Sequence, residues 1–193
     1  MTIIQDAKPL TLFLEPIHFP NDASTESHGQ LPKTEDYVYW VFAGSVEDFV
    51  LSDKEFHALS GKAAADLTLK LTEHWDPSYR AMFELQNTDQ CAPLRLISAK
   101  PERPEWSPST RVTLLGDAVH AMMPAGGSGA NCALADAALL LRLIVEMGIS
   151  EDMMGRYINE MMDYAAPAIE GSAQAGHKLL GFKGFEGAKE VDI

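Results

Sequence analysis

The sequence is short of cysteine, of basic residues and of long apolar runs. Its two cysteines, Cys91 and Cys132, lie far apart and form no metal-spaced pair, so we predict reduced thiols and no metal site. Lys and Arg number 15 against 28 Asp and Glu, and the resulting net charge of -13 argues against a nucleic-acid surface and an anionic membrane. No apolar run reaches the roughly 18 residues that span a bilayer, so no membrane span is predicted.

The first six residues also lack the basic region and the apolar core of a secretory signal. Together with reduced thiols, this predicts a cytoplasmic protein. A hydrophobic content of 46% with 22% charged residues over 193 positions is typical of a globular chain that can bury a core.

Three segments have the composition of strands. Residues 10–14 and the aromatic, β-branched run at 37–42 predict an antiparallel pair, and residues 93–99, which alternate apolar and polar side chains, predict a third strand. The aromatic strand has two interpretations: its rings bind an apolar ligand, or they pack against a covering helix, which is the more common arrangement.

Capping signals mark the helices of the first half. Ser52 and Glu55 have capping-box spacing before apolar residues at helical intervals, which predicts a helix to about residue 71 that Gly61 breaks or bends. Asp76 and Pro77 predict the N-cap and first residue of a short helix.

Two longer helices are predicted in the second half. One covers residues 130–147 with Gly148 as its C-terminal cap, and another begins at Ser150 and ends or kinks at Pro167. A methionine stripe lies along the second helix; it is either core filling or, less often, a pliable pocket wall.

A strand-loop-helix pattern joins these halves. Residues 112–115 have the composition of a strand buried on both faces, Gly116 and Asp117 end it, and the glycine-rich loop at 126–129 precedes the helix. Such a helix entrance presents backbone N–H groups and the positive end of the helix dipole, which can hold an anion or a carbonyl edge. Asp117 is placed to accept hydrogen bonds from hydroxyls.

At these positions the sequence resembles the second flavin motif of the FAD-dependent aromatic hydroxylases, the group A flavoprotein monooxygenases. The matching positions agree in order and spacing: Gly116, Asp117, Ala118, Val119, His120, Pro124, Gly127, Gly129, Asn131 and Asp136. The element order from about Leu10 to Gly176 is similar to the substrate-domain half of the same family.

The resemblance implies cofactor-binding roles if flavin binds. Asp117 would hold the ribityl chain. The isoalloxazine ring would be covered by backbone contacts from Pro124, Gly127, Gly129, Ala130 and Asn131. The family's GxGxxG nucleotide-binding motif is not found near the start, and no Asp-Gly dipeptide occurs. We therefore expect no tightly bound cofactor, with FAD as the alternative. We also expect a homodimer, because the strand at 112–115 needs partners for its backbone groups.

Three functions follow from this pattern. The first is cofactor-independent conversion of a hydrophobic small molecule in natural-product biosynthesis, such as a cyclisation, a pericyclic reaction, an isomerisation or a dehydration. The second is a portion of an FAD-dependent monooxygenase that hydroxylates an aromatic or polyketide-like substrate. The third is a non-enzymatic small-molecule binding protein.

The candidate catalytic residues are Asp117, His120, Arg95 and Tyr39, which can move protons or polarise a carbonyl. Arg95 has a simpler interpretation as the partner of a surface carboxylate. Asp117 and His120 also have a simpler interpretation, in which they cap the helix and stabilise the loop. The predicted substrate pocket is formed by residues of the aromatic strand and of the motif: Tyr37, Tyr39, Trp40, Phe42, Met122 and Met123.

These patterns together predict an α+β fold, with a mostly antiparallel sheet covered by helices and a remnant strand-loop-helix of a flavin-binding domain. We expect sheet and helices in residues 1–100, the connector, motif and C-terminal helices in 101–180, and a tail at 181–193, all in one compact unit.

Overall fold

The computed structural model describes residues 1–6, 10–186 and 188. The chain divides into two compact units, Met1–Pro93 and Leu94–Ile193. Part of the expected tail, residues 187 and 189–193, lies outside the described residues. Antiparallel strands combined with helices confirm the predicted α+β class.

The sheet belongs to the first unit and contains three antiparallel strands in the order β1-β2-β3. They are β1 (Thr2–Gln5), β2 (Thr11–Ile17) and β3 (Tyr37–Ala43). The predicted pairing of the second and third strands is confirmed, with Leu12 opposite Phe42. β1 was not predicted, because four residues are too few to show a periodicity of their own.

The predicted strand at residues 93–99 is wrong, since no strand is assigned there. Leu94 and Ile97 are exposed, at 74% and 47%. Alternating side chains indicate one apolar face, but a strand also needs a neighbour for its backbone groups. Among the described residues, no strand of the sheet pairs with residues 93–99.

An aromatic cluster packs β3 against helix α5 (Pro77–Glu84). Phe83 is fully buried, and its ring centroid lies 5.3 Å from that of Trp40, 5.2 Å from that of Phe42 and 5.9 Å from that of Trp75. All three pairs are edge-to-face, the geometry that aromatic quadrupoles favour. The interpretation of β3 as a packing surface therefore holds for Trp40 and Phe42.

Short helices complete the first unit: α1 (Ala23–Glu26), α2 (Val46–Phe49), α3 (Asp53–His57) and α4 (Gly61–Leu71). The predicted capping box is present, with the Glu55 N–H donating to Ser52 Oγ at 3.3 Å and the Ser52 N–H donating to Glu55 Oε2 at 2.9 Å. The predicted break is also found, because α3 ends at His57 and α4 begins at Gly61. A Cβ at Gly61 would lie 2.4 Å from the carbonyl oxygen of Thr88, so only glycine fits there.

The second unit contains α6 (Asp117–His120), α7 (Gly129–Met147) and α8 (Glu151–Leu180). Gly148 ends α7 with a φ of 69°, and the Ser150 side chain caps α8, as predicted. Pro167 was expected to end or kink α8; the helix does not end there and continues to Leu180. A proline inside a helix costs about 3 kcal/mol, which the long buried face of α8 on both sides of Pro167 offsets.

The predicted strand at residues 112–115 is also wrong, since the chain is irregular there. Val112 is 68% exposed and Leu115 is 42% exposed, where a strand buried on both faces was expected. A buried parallel strand needs neighbours on both sides and a covering layer. Among the described residues, no strand pairs with this segment.

The core of the second unit lies between α7 and α8, and the methionine stripe is part of it. This confirms its interpretation as core filling. The cluster contains Leu139, Leu143, Met153, Met154, Tyr157, Ile158, Met161, Met162 and Ala165.

Replacing Phe83 by alanine tests the aromatic cluster of the first unit. We expect Phe83→Ala to lower the free energy of unfolding by about 3–5 kcal/mol, because a large buried ring is lost and its neighbours collapse only partly. Leu85→Ala, at a position that is 86% exposed, is the matched control and should stay within about 0.5 kcal/mol. Urea denaturation followed by tryptophan fluorescence measures both, and equal effects would contradict the packing.

The buried phenol of Tyr157 predicts a pH dependence. Its hydroxyl donates to the Leu114 carbonyl at 3.1 Å, and burial raises the pKa of Tyr157 to about 12. The folded state then binds more protons than the unfolded state between the ordinary tyrosine pKa of about 10 and the raised value. The stabilising contribution is therefore complete below about pH 10 and is lost as the pH rises through this window.

We expect the unfolding free energy of Tyr157→Phe to fall less steeply than that of the parent chain across this alkaline window. Tyr79→Phe, which alters an exposed tyrosine, should keep the parent slope. Urea titrations at a series of alkaline pH values measure the slopes, and identical slopes for the parent and Tyr157→Phe would contradict the assignment.

Candidate functional site

The glycine-aspartate motif forms a tight corner before α6. Gly116 has a φ of 60° and a ψ of -144°, a backbone conformation that side chains rarely adopt. A Cβ at Gly116 would also lie 3.2 Å from the Cβ of Ala133 on α7. The backbone conformation and the lack of space therefore both require glycine at 116, and Asp117 follows directly as the first residue of α6.

A buried carboxylate holds this corner in place. Oδ2 of Asp136 accepts hydrogen bonds from the Gly116 N–H and from His120 Nε2, both at 2.7 Å. Its Oδ1 accepts one from the Tyr164 hydroxyl at 2.6 Å. Asp136 and His120 are both 0% exposed. A buried carboxylate is tolerated only when it is hydrogen-bonded or paired, so this network ties α6, α7 and α8 together.

Tyr164 responds to the same environment. Burial and the hydrogen bond to the Asp136 carboxylate together raise the pKa of Tyr164 above its ordinary value. The hydroxyl therefore keeps its proton and remains a donor to Asp136 over the physiological pH range.

His120, a candidate catalytic residue, is enclosed in this network. Its Nε2 is held by Asp136, and its buried Nδ1 makes no hydrogen bond with any group among the described residues. The structure therefore places His120 where it supports the corner from inside. Sequence reasoning identified His120 and Asp136 as motif positions but missed their pairing and the contribution of Tyr164.

Asp117, in contrast, is exposed and lies beside the start of α7. A Cβ at Gly129 would lie 4.0 Å from Asp117 Oδ1 and 3.7 Å from Cγ of Met122. The carboxylate therefore lies close to the first turn of α7, and its role in binding hydroxyls remains a prediction.

The entrance to α7 keeps its backbone donors available. The turn Pro124–Gly126 leads into Gly127, which has a φ of 64°. Ser128 occupies the N-cap position but forms no side-chain cap. Its hydroxyl donates to the Gly126 carbonyl. The first N–H groups of a helix have no intrahelical partner and lie at the positive end of its dipole. The entrance is thus suited to a carbonyl edge or an anion.

The other predicted cofactor contacts surround this entrance. Ala130 and Asn131 are exposed on the first turn of α7, and Pro124 is exposed on the preceding turn. The structure therefore brings Asp117, Pro124, Gly127, Gly129, Ala130 and Asn131 to one region of the second unit.

The predicted substrate-pocket residues belong to different units. Tyr37 and Tyr39 are about half exposed on β3, at 49% and 53%, whereas Trp40 and Phe42 pack in the aromatic cluster. Met122 is half-buried and Met123 is buried, both in the second unit. The pocket formed by these residues remains a prediction.

Arg95 and Tyr39, the remaining catalytic candidates, also belong to different units. Arg95 is half-buried in the irregular segment at 94–99, and Tyr39 lies in the sheet of the first unit. Their catalytic roles remain predictions.

Comparisons with known proteins agree with the motif. A family model described as an FAD binding domain matches residues 103–169. A dual O-methyltransferase/FAD-dependent monooxygenase of Phaeosphaeria nodorum is 45% identical over 165 residues, 78% of this chain and 17% of the relative. A protein of the same description from Cercospora beticola is 47% identical over 146 residues, 72% of this chain and 16% of the relative.

A solved structure shows the same fold. The crystal structure of a putative FAD-containing monooxygenase from Photorhabdus luminescens matches with a TM-score of 0.68 and 30% identity over 92% of this chain and 46% of that one. This chain thus spans less than a fifth of the length of the two sequence relatives and about half that of the solved structure. Sequence and fold therefore confirm the predicted resemblance: the chain is similar to FAD-dependent monooxygenases, and its residues 103–169 match an FAD binding domain.

Proposed function

We propose that this chain provides the isoalloxazine- and ribityl-facing side of an FAD site in a monooxygenase. Its substrate would be a hydrophobic aromatic or polyketide-like small molecule of natural-product biosynthesis. The observation that carries this proposal is the exposed carboxylate of Asp117 beside the entrance of α7, which has no side-chain cap.

The residues present fit the flavin part of FAD. Glycine at 127 and 129 leaves space in front of the helix entrance, since nothing lies within 4 Å of a Cβ built at Gly127. At Gly129, a Cβ would occupy the space between the α7 backbone and Asp117. A flat ring can therefore approach the backbone closely, as ligands do at glycine-rich helix entrances.

Each group has a defined task in this site. Asp117 would accept hydrogen bonds from the ribityl hydroxyls, and the N–H groups of the first turn of α7 would donate to the flavin ring. The Asp136 network keeps both elements in a fixed relation before any ligand arrives, which lowers the entropy lost on binding. When bound, FAD supplies the redox chemistry of oxygen transfer, while the protein provides position and exclusion of water.

The cofactor-independent conversion remains a prediction, with weaker support from this geometry. A proton-transferring group must come within hydrogen-bonding reach of the substrate, whereas His120 is fully buried and held by Asp136. Asp117 is the exposed candidate that both functions share. A non-enzymatic binding protein would use the same entrance of α7 without turnover.

Titration of FAD against a polypeptide of these 193 residues tests the proposal. We expect saturable but weak binding, in the micromolar range or weaker, which is lost on desalting because these residues contain no GxGxxG motif for the ADP part. Asp117→Ala should weaken binding roughly tenfold to a hundredfold, because a hydrogen bond to a charged group contributes about 1.5–3 kcal/mol.

Glu170→Ala is the matched control, since it also removes one exposed negative charge and should leave the affinity within about twofold of the parent value. Flavin fluorescence quenching measures all three proteins. An absence of saturable binding by the parent at millimolar FAD, or an equal loss in both variants, would contradict the flavin role of Asp117.

We also propose that two copies of the chain associate through α7. Leu134, Leu141 and Val145 are 70%, 64% and 76% exposed, and their spacing places them on one face of the helix. A contiguous exposed apolar face is typical of an interaction surface. The net charge of -13 on each copy opposes association, so salt should strengthen it.

Light scattering at micromolar concentration tests this association. We expect a dimer that Leu141→Glu converts to monomer, because a buried unpaired carboxylate costs several kcal/mol. Leu85→Glu, which changes an exposed residue of the first unit, should remain dimeric. A monomeric parent chain at both low and high salt would contradict the proposal.

A further inference from the structure

The turn before α7 approaches α8 unusually closely at one point. A Cβ at Gly126 would lie 2.1 Å from Oγ of Ser172 and 2.9 Å from its Cα and Cβ. Real Cβ atoms essentially never show contacts under 3.0 Å. Any side chain at 126 would therefore have to push the turn away from α8.

Conformation does not explain the glycine at this position. Gly127 has a positive φ of 64° and lies in open space, whereas Gly126 does not have a positive φ. The requirement for glycine at 126 is thus one of space alone. It depends on the side chain that α8 presents at 172.

The same face of α8 has a second close contact one helical turn later. A Cβ at Gly176 would lie 3.2–3.4 Å from the side chain of Met123, the residue before the turn. Residues four apart lie on one side of a helix. Because residues 172 and 176 are small, Gly126 and Met123 can both pack closely against α8.

Ser172 contributes volume to this contact and no hydrogen bond. It is 1% exposed, and its Oγ has no hydrogen-bond partner among the described residues. A buried hydroxyl without a partner is normally a cost, so bonding does not account for its position. Ser172 does, however, contact Gly126 in the glycine-rich loop before α7.

We propose that Ser172 is a positioning residue for the flavin-binding turn, with Gly126 as its steric counterpart. The contact sets how far the turn Pro124–Gly126 stands from α8 and thereby where the N–H groups at the α7 entrance point. This inference rests on the proposed FAD site. It extends that site beyond the region matched by the family model, which ends at residue 169.

A double-mutant cycle tests the contact. The four proteins are the parent chain, Gly126→Ala, Ser172→Gly and the double variant. In the double variant the new Cβ at 126 no longer meets Oγ and Cβ of residue 172, and only the contact with its Cα remains. Gly171→Ala is the matched control, because it changes the neighbouring residue of α8 but meets nothing within 4 Å. Two quantities are measured under conditions where urea titration shows every variant folded: the FAD affinity and the hydrogen exchange of amides at residues 122–131.

We expect Gly126→Ala to weaken FAD binding at least tenfold and to speed local amide exchange about tenfold. Adding Ser172→Gly should restore at least half of the change in the logarithm of the FAD affinity and of the exchange rate. For Gly171→Ala, both quantities should stay within twofold of the parent values. A merely structural role would lower the urea midpoint of Gly126→Ala but leave the affinity of the folded protein and its local exchange unchanged.

The outcomes separate this inference from the proposed function. If the parent binds FAD, unchanged affinity and exchange in Gly126→Ala overturn the positioning role of Ser172. Loss without recovery in the double variant also overturns it, because the clash would not depend on Ser172. If the parent shows no saturable FAD binding, the proposed FAD site fails and the flavin-positioning role fails with it, while the exchange cycle still reports whether the Gly126–Ser172 contact orders the turn.

Discussion

The buried carboxylate of Asp136 is the interaction on which the geometry of the second unit depends. It lies on α7 and receives hydrogen bonds from the corner before α6, from α6 itself and from α8. Separating any of these elements would leave part of a buried charge without a donor, at a cost of several kcal/mol. Because the three elements are held together, the exposed Asp117 keeps its place beside the α7 entrance.

Polar and steric constraints then act on different parts of the same loop. The Asp136 network fixes the chain where the motif begins, at Gly116, and the contact between Gly126 and Ser172 fixes it shortly before α7 begins. Between these two points the loop has only a short length in which to vary. A loop held at both ends would lose little entropy on binding a ligand, which would suit the proposed FAD site because that site consists largely of backbone N–H groups.

Local signals in the sequence predicted well where the physical cause is itself local. The capping box of Ser52 and Glu55 and the N-cap of α8 at Ser150 are formed by residues within one helical turn. The aromatic composition of β3 predicted both a strand and its packing against a helix. The motif predicted Asp117 and the glycines near the entrance of α7, because their spacing is a property of one continuous stretch.

The errors occurred where the outcome depends on a distant partner. Residues 93–99 and 112–115 have the composition of strands, yet neither pairs with another strand among the described residues. The hydrogen bonds of Asp136 with His120 and with Tyr164 join three helices, so spacing alone could not show whether His120 would be exposed or enclosed in the interior.

The sequence by itself determined the helix boundaries set by caps, the strong strand β3, the acidic surface and the flavin-type motif, because each depends on neighbouring residues or on composition. Only the tertiary structure decided which strands form, that His120 is enclosed, and that Ser172 meets Gly126. These features depend on how α8 packs against the motif, and a buried charge or a missing Cβ has meaning only once the atoms around it are known.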